Sequence, residues 1–302
     1  MGRRKRRGDK VNGMLLLDKP VGITSNGALQ DVKQLMNAAK AGHTGSLDPI
    51  ATGLLPLCFG ETTKLSGYLL ELEKRYWTRI RLGQSTETGD SEGAIVQTRA
   101  VELNQDRIEA ALEHFRGTFD QIPPMYSAIK VNGQPLYKLA RQGIEIERKP
   151  RQVTVYNLEL AAFDGIDLEL ELECSSGFYV RALACDLGAA LGCGGHVTAL
   201  RRLSVGDLDI ADAVTLDQLK ECGTAIERRK MLIKGEEGLA HLPRVDLSVD
   251  AAFYLCRGQD VRADGLPQEG MVRLFSSDSG FIGIGQITDD HRVGPKRLFV
   301  ER

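Results

Sequence analysis

In the stretch AGHTGSLDPIATG, residues 41–53, three glycines bracket one histidine, His43, and one carboxylate, Asp48, which precedes Pro49. Glycine lets a backbone turn sharply and approach a ligand closely, so a segment this rich in it reads as a loop that carries chemistry rather than a helix or strand. A nucleotide-phosphate cradle does not fit, because the lysine and hydroxyl pair of GxxxxGK[ST] is missing. A Ser-His-Asp nucleophile fits poorly. His43, Ser46 and Asp48 lie within six residues of one another, whereas triad members converge from separated segments, and nucleophile-elbow spacing is absent. An isolated Asp-Pro pair also has a purely structural use, since Asp side chains initiate turns. The residues of the loop alone leave that turn-forming role open.

Composition bounds the setting. A chain of 302 residues suits one large domain with a small one, or two medium ones. Its 42% hydrophobic and 26% charged content is ordinary for a globular protein with a sizeable core. No apolar run approaches the roughly 20 residues that span a bilayer, and the basic opening MGRRKRRGDK lacks the apolar region of a secretory signal. No membrane partner is expected. Cys58, Cys174, Cys185, Cys193, Cys222 and Cys256 show no CxxC spacing, which points to reduced thiols in a cytoplasmic protein and no zinc site. Residues 1–10 hold six Lys/Arg and one Asp against an overall charge of −2. Such a basic, disordered arm can neutralise phosphates or simply be solvated.

The elements that must position the loop are legible in outline. NGMLLLDKP (12–20) reads as a buried strand ended by a turn. Ala28, Leu29, Val32, Leu35 and Met36 recur at helical spacing behind an N-cap at Ser25 or Asn26. After the loop come the apolar run LLPLCFG (54–60), a helix over ETTKLSGYLLELEKRY, a strand over YWTRIRLG, a polar turn STETGDSEG and a strand AIVQTR. Ile108, Ala111, Leu112 and Phe115 mark a second amphipathic helix. From 166 to 174 the alternation is strict, with Ile166, Leu168, Leu170, Leu172 and Cys174 on one face. Asp167, Glu169, Glu171 and Glu173 form an acidic opposite face that repels phosphate. FYVRALACDLGAALG (178–192) begins as a strand and becomes a helix ending at Gly192. Residues 223–246 are polar and weakly periodic, a linker. Residues 247–302 combine a short helix stopped by Gly258 with strands MVRLF, GFIGIGQI and KRLFV, a small β-rich unit.

The segments LLLDKPVGITSN, AGHTGSLDPIATGLLPLCFGETTKL, KRYW, IPPMYSAIKVNGQPLYKLARQG, CSSGFYVRALACDLG and GGHVTALRRLSVG occur in an order and spacing that resembles the bacterial tRNA pseudouridine-55 synthases of the TruB type, from about residue 11 to 210. The resemblance implies an α+β fold, a mixed and largely antiparallel sheet flanked by helices. It divides the chain into a catalytic domain (11–222) with an RNA-clamping insertion (123–151), the linker, and a C-terminal PUA-like RNA-binding domain (247–302). It also implies an isomerase that exchanges the N1–C1′ bond of one T-arm uridine for C5–C1′, with no cofactor and no metal.

Within that resemblance Asp48 is the nucleophile, and covalent catalysis divides one hard step into easier ones. Addition at C1′ or at C6 stays open. Arg181 keeps the carboxylate charged. Tyr76 stacks on the flipped base and aids proton removal from C5. Tyr179 forms a second aromatic wall, His43 fills the gap left in the RNA, and Lys19 and Leu200 line the pocket. In 123–151, Lys130, Lys138, Arg141, Arg148, Lys149 and Arg151 are interleaved with Tyr126 and Tyr137, suiting a mobile clamp on RNA or a solvated helical hairpin. The chain departs from the family pattern at Ser46, Phe178 and Ala184-Cys185. The expected partner is the tRNA T-arm stem-loop, met by a monomer without guide RNA. The other reading is an RNA-binding or tRNA-folding chaperone in which modification is secondary.

Overall fold

The computed structural model describes residues 8–299; residues 1–7 of the expected basic arm lie outside that range. Gly8–Lys10, the end of the expected arm, are anchored instead. Asp9 bridges to Ala38 and pairs with Arg229 on a remote segment.

A ten-stranded mixed sheet forms the centre. Its main path runs Val214–Thr215, Gly13–Lys19, Ala51–Phe59, Gly195–Val205, Lys74–Leu82, Asp167–Cys174, Arg151–Phe163 and Gly117–Gln121. Two pairings are parallel, Gly13–Lys19 with Val214–Thr215 and Ala51–Phe59 with Gly195–Val205. The others on the path are antiparallel. The expected α+β class with a mixed, largely antiparallel sheet is what forms.

Side-chain parity explains why both faces are covered. Leu15 and Leu17 point to one face with Leu55, Leu57, Ile80 and Leu170, and the helices Ser25–Leu35, Gln105–Leu112 and Val180–Ala190 bury Val32, Ile108 and Leu183 against them. Met14, Leu16, Leu54 and Cys58, the alternate residues, build a second core on the other face with Leu65, Leu69 and Leu239. A strand buried on both sides has to read as a continuous apolar run, as LLPLCF does.

Several local expectations change. Thr24, not Ser25 or Asn26, caps the first helix, its Oγ1 accepting from Gly27 N at 3.0 Å. Ser25 is buried and committed to the glycine-rich loop instead. The helix expected over 61–76 shortens to a 3-10 turn at Gly60–Leu65 and a helix at Ser66–Leu70, because the strand claims the chain from Lys74. Segment 178–192 has no opening strand and becomes helical at Val180. Ile166 precedes its strand and is 53% exposed, so the inward alternation begins at Leu168. The acidic face of that strand is compensated at two of its four acids: Glu169 pairs with Arg79 at 2.6 Å and Asp167 with Arg81 at 2.8 Å across the ladder.

The segment expected as a linker is folded. It carries a capped helix Ala225–Arg229, a 3-10 turn Gly235–Leu239 with buried glycines, and the strand Arg244–Leu247. Its polarity conceals this because capping boxes and backbone pairing, rather than apolar periodicity, hold it. That strand pairs in parallel with Met271–Ser276, which continues through Gly280–Ile287 to Val293–Leu298. The small sheet has its own core with Leu255 of the Val249–Leu255 helix. Ile284 joins the second core of the large sheet, fixing the two units together.

Gly53 shows how tightly the loop's end is built. Its φ is +97°, and a β-carbon there would stand 2.3 Å from the carbonyl oxygen of Arg202. Gly53→Ala combines left-handed strain with a clash against backbone. It is expected to cost about 2 kcal/mol or more in chemical denaturation, whereas Gly177→Ala, with open space around it, costs about 1.

Candidate active site

Backbone hydrogen bonds and one serine hold the glycine-rich loop. Ser25 Oγ donates to Leu47 O at 3.0 Å and accepts from Leu47 N at 2.7 Å. Ala51 N donates to Asp48 O at 3.0 Å, and Gly22 N donates to Pro49 O at 2.8 Å. Asp48 does sit in a turn, yet its carboxylate is not used to make it. Oδ2 lies 2.9 Å from Arg181 Nε, with 40% of the aspartate side chain accessible to the cavity in front of it.

Arg181 occupies the first turn of the Val180–Ala190 helix and is 6% exposed. The fork is not used bidentately on Asp48. Nη1 donates to Thr88 O at 3.1 Å and Nη2 to Tyr126 O at 2.6 Å, so the guanidinium is aimed before any ligand arrives. Asp90 Oδ2 stands 3.6 Å from the same Nε, and Asp90 is held by Thr88 Oγ1 and Glu92 N. Two carboxylates therefore share one cation. Burial pushes Asp48 above the ordinary aspartate range; Arg181 opposes this, Asp90 adds to it and Lys19 opposes it. Arg181 restrains the upward shift without cancelling it.

Asp48 opens into a cavity of about 450 Å³ whose wall includes His43, Tyr76, Tyr179, Arg181 and Leu200. Tyr76 projects from the Lys74–Leu82 strand, and Tyr179 is locked by Gln121, whose Oε1 accepts from Tyr179 N at 2.8 Å while Nε2 donates to Tyr179 O at 3.1 Å. Beside it, Phe178 meets Phe119 edge-on at 6.5 Å. Burial pushes both tyrosine hydroxyls upward. His43 is pushed below its ordinary value by burial and by Arg202, which keeps the ring neutral, and its buried Nδ1 has no partner among the described residues. Leu200 contributes shape, and its carbonyl accepts from Thr52 Oγ1 at 3.3 Å.

Lys19 is the exception among the expected residues. It is 0% exposed and does not reach the cavity wall. Its Nζ donates to Pro20 O and Ile23 O, each at 2.8 Å. Burial lowers it to about 8, against the opposing pull of Asp48. It acts as a charge behind the carboxylate and a brace for the turn before the first helix.

Sequence reading missed Asp90, Lys74, Ser127 and Arg202. Asp90 hid in a polar turn, STETGDSEG, where a buried acid has no sequence mark. Lys74 and Arg202 are 6% and 1% exposed and line the cavity. Arg202 had a signal: in a strand, residue 202 faces the same way as Leu200. The intervening Arg201 points to the opposite side and grips Asp18 bidentately, at 3.0 and 2.7 Å.

The charge balance at Asp48 has a measurable consequence. Its folded-state pKa is raised, so the native state binds that proton more tightly than the unfolded chain does. The ionised form then costs stability at every pH above the folded-state value, and the cost fades as pH falls through the ordinary aspartate range. Asp48→Asn is expected to melt at or above the parent's temperature at neutral pH. The advantage should shrink in acid; a marked loss of stability at pH 7 would contradict this balance.

The description "TruB family pseudouridylate synthase (N terminal domain)" matches residues 33–180, "tRNA pseudouridylate synthase B C-terminal domain" matches 181–239, and "Pseudouridine synthase II TruB, C-terminal" matches 243–299. A protein of Nitrosococcus oceani named tRNA pseudouridine synthase B is 53% identical over 98% of this chain and 97% of its own. One of the same name from Pseudomonas syringae pv. syringae is 50% identical over 99% of each chain. Among solved structures, a Cbf5-Nop10-Gar1 complex aligns with a TM-score of 0.74 at 25% identity, covering 96% of this chain and 85% of that one. The archaeal box H/ACA Nop10-Cbf5 complex, 23% identical with a TM-score of 0.72 over 100% of this chain and 93% of its own, shares the fold. Residues that surround an aspartate-arginine pair in an aromatic cavity, on this sheet and with this length of sequence identity, place the chain in one family: it belongs to the TruB pseudouridine synthases.

Proposed function

We propose that this isomerase converts the uridine at position 55, in the T-arm loop of tRNA, to pseudouridine through a transient bond to Asp48. The observation that carries the reading is the Asp48–Arg181 pair opening into a cavity walled by Tyr76 and Tyr179. The names of the full-length relatives, tRNA pseudouridine synthase B, supply the substrate class.

A uridine stacked in a folded loop has to be everted before a carboxylate can reach it, at a cost of a few kcal/mol. A ring stacked on Tyr76 returns roughly 1–3 kcal/mol, and the neutral imidazole of His43, with an unpartnered nitrogen, fills the space the base leaves. Closing RNA over Asp48 removes the solvent that now reaches it. The Arg181 charge then opposes protonation at lower dielectric, where it acts more strongly. The carboxylate adds to the nucleoside, the N1–C1′ bond breaks, uracil rotates, C5–C1′ forms, and the bond to the carboxylate breaks to return Asp48 ionised. The proton lost from C5 is matched by the one gained at N1, so the reaction consumes nothing.

The segment 123–151 supports the RNA contact. Tyr126 and Ser127 belong to the site itself, through the carbonyl that Arg181 engages and through the cavity wall. A small hairpin, Lys130–Val131 with Gln134–Pro135, and the helix Leu136–Ala140 then carry Lys130, Lys138 and Arg141 outward into solvent. Exposed cations beside a base-sized cavity suit the phosphates on either side of a flipped nucleotide.

Asp48→Asn is expected to abolish pseudouridine formation in a T-arm stem-loop transcript, mapped chemically, while RNA affinity stays within about threefold, since one neutralised carboxylate removes no phosphate contact. Turnover by that variant would sink the mechanism. Replacing Lys130, Lys138 and Arg141 together by alanine should lessen the dependence of log Kd on log salt by roughly 2, the release expected for three lost contacts to single-stranded backbone.

A further inference from the structure

Arg202 is 1% exposed and heads the fully buried side chains by size. Among the described residues no carboxylate forms an ion pair with it. Its charge is instead met by two carbonyls, Nε donating to Leu54 O at 2.7 Å and Nη2 to Gly45 O at 3.3 Å. Among the described residues no backbone carbonyl takes Nη1. A buried cation without an acid is costly, and here it sits on the wall of the reaction cavity. Directly across the antiparallel ladder stands Tyr76. Partners across such a ladder share a face, and Tyr76 lines the same cavity.

We infer that Arg202 is the positioning residue of the Tyr76 hydroxyl, holding the phenol oxygen toward the cavity and stabilising the phenolate that forms when a proton passes through it. This rests on the reading of Tyr76 as the group that aids C5 deprotonation. Tyr76 first gives its proton to N1 of the detached uracil, whose N1–H is thereby formed. C5–C1′ then forms from the C5=C6 electron pair while the bond to Asp48 breaks and its pair returns to the carboxylate; the C5–H bond breaks, its electron pair restores the C5=C6 double bond, and the proton returns to the phenolate oxygen. Atoms and charge balance, and Tyr76 ends as it began.

The surroundings of Tyr76 leave this task to Arg202. Burial pushes the phenol upward, and Cys174 from the adjacent strand and Asp48 from the loop push it the same way; Arg202 is the largest opposing influence. Lys74, on Tyr76's own strand, is turned toward the carbonyls of Leu70 and Leu72. Arg181 on the far wall is spent on Asp48, Asp90 and two carbonyls. His43 is neutral and Tyr179 uncharged at neutral pH.

The test compares wild type, Arg202→Gln, Arg202→Lys, Tyr76→Phe and the double variant Tyr76→Phe/Arg202→Gln. Single-turnover rates on a T-arm stem-loop are measured across pH, with a tyrosinate absorbance titration of each protein in parallel. The Arg202→Gln rate should fall about tenfold at neutral pH, and its alkaline limb, where the phenol ionises before it can donate, should be displaced upward by on the order of one pH unit, so that the loss narrows at high pH. The titration of the residue missing in Tyr76→Phe should move by the same amount. Arg202→Lys, which keeps charge without the fork, should shift less in the same direction, and it decides the matter if the Gln variant fails to fold. In the Tyr76→Phe background Arg202→Gln should add little. An equal loss at every pH, full additivity with Tyr76→Phe, or an unmoved titration would overturn the inference. A wild type that forms no pseudouridine would overturn the functional reading instead, with the titration still judging Arg202.

Discussion

One cation shared by two carboxylates governs the cavity into which Asp48 opens. Arg181 is buried, its Nη atoms donate to the carbonyls of Thr88 and Tyr126, and its Nε faces Asp48 and Asp90. Those carbonyls come from two separate loops, so the pair is correctly aimed only when the turn at 87–93 and the start of the 123–151 segment are both in place. The desolvation that would neutralise Asp48 is the same desolvation that makes Arg181 effective. A carboxylate kept near this balance tolerates further burial because the opposing charge is already fixed and costs no rearrangement.

The sheet converts strand parity into two separate tasks. Along Gly195–Val205 the even positions Leu200 and Arg202 face the cavity, while Arg201 faces away to grip Asp18. Along Gly13–Lys19 the odd residues supply one core and the even ones another. The Asp48 loop runs from the half-buried strand Ala41–His43 into Ala51–Phe59, whose side chains are buried on both faces. Its geometry therefore inherits the rigidity of two cores rather than the softness of a surface loop. Glycine is required where this transfer is tightest: at Gly53 the neighbouring backbone comes too close for a β-carbon.

The small C-terminal sheet is tied into the same framework. Ile284 enters the second core, and Lys64 reaches the carbonyl of Leu298 at 3.1 Å while standing over the Phe299 ring. The Arg244–Leu247 strand belongs to that sheet although it lies in a stretch too polar to announce itself. Helices held by capping boxes and strands held by backbone pairing give weak periodicity, and this is why residues 223–246 look like a linker in one dimension.

By itself the sequence determined what local chemistry can determine. The unbroken apolar run LLPLCF, the alternation from Leu168 to Cys174 and the glycine-bracketed Asp48 each follow from side-chain period or backbone freedom within a few residues, and the long motifs were enough to suggest the family. Where charges end up was decided only by tertiary structure. Asp90 and Arg202 lie about a hundred residues apart in the chain, yet both become buried beside one cavity, while Lys19, in an equally suggestive motif, is withdrawn behind it. Burial and electrostatic coupling depend on which strands meet across the sheet, and residue types and spacing along one segment hold no record of that pairing.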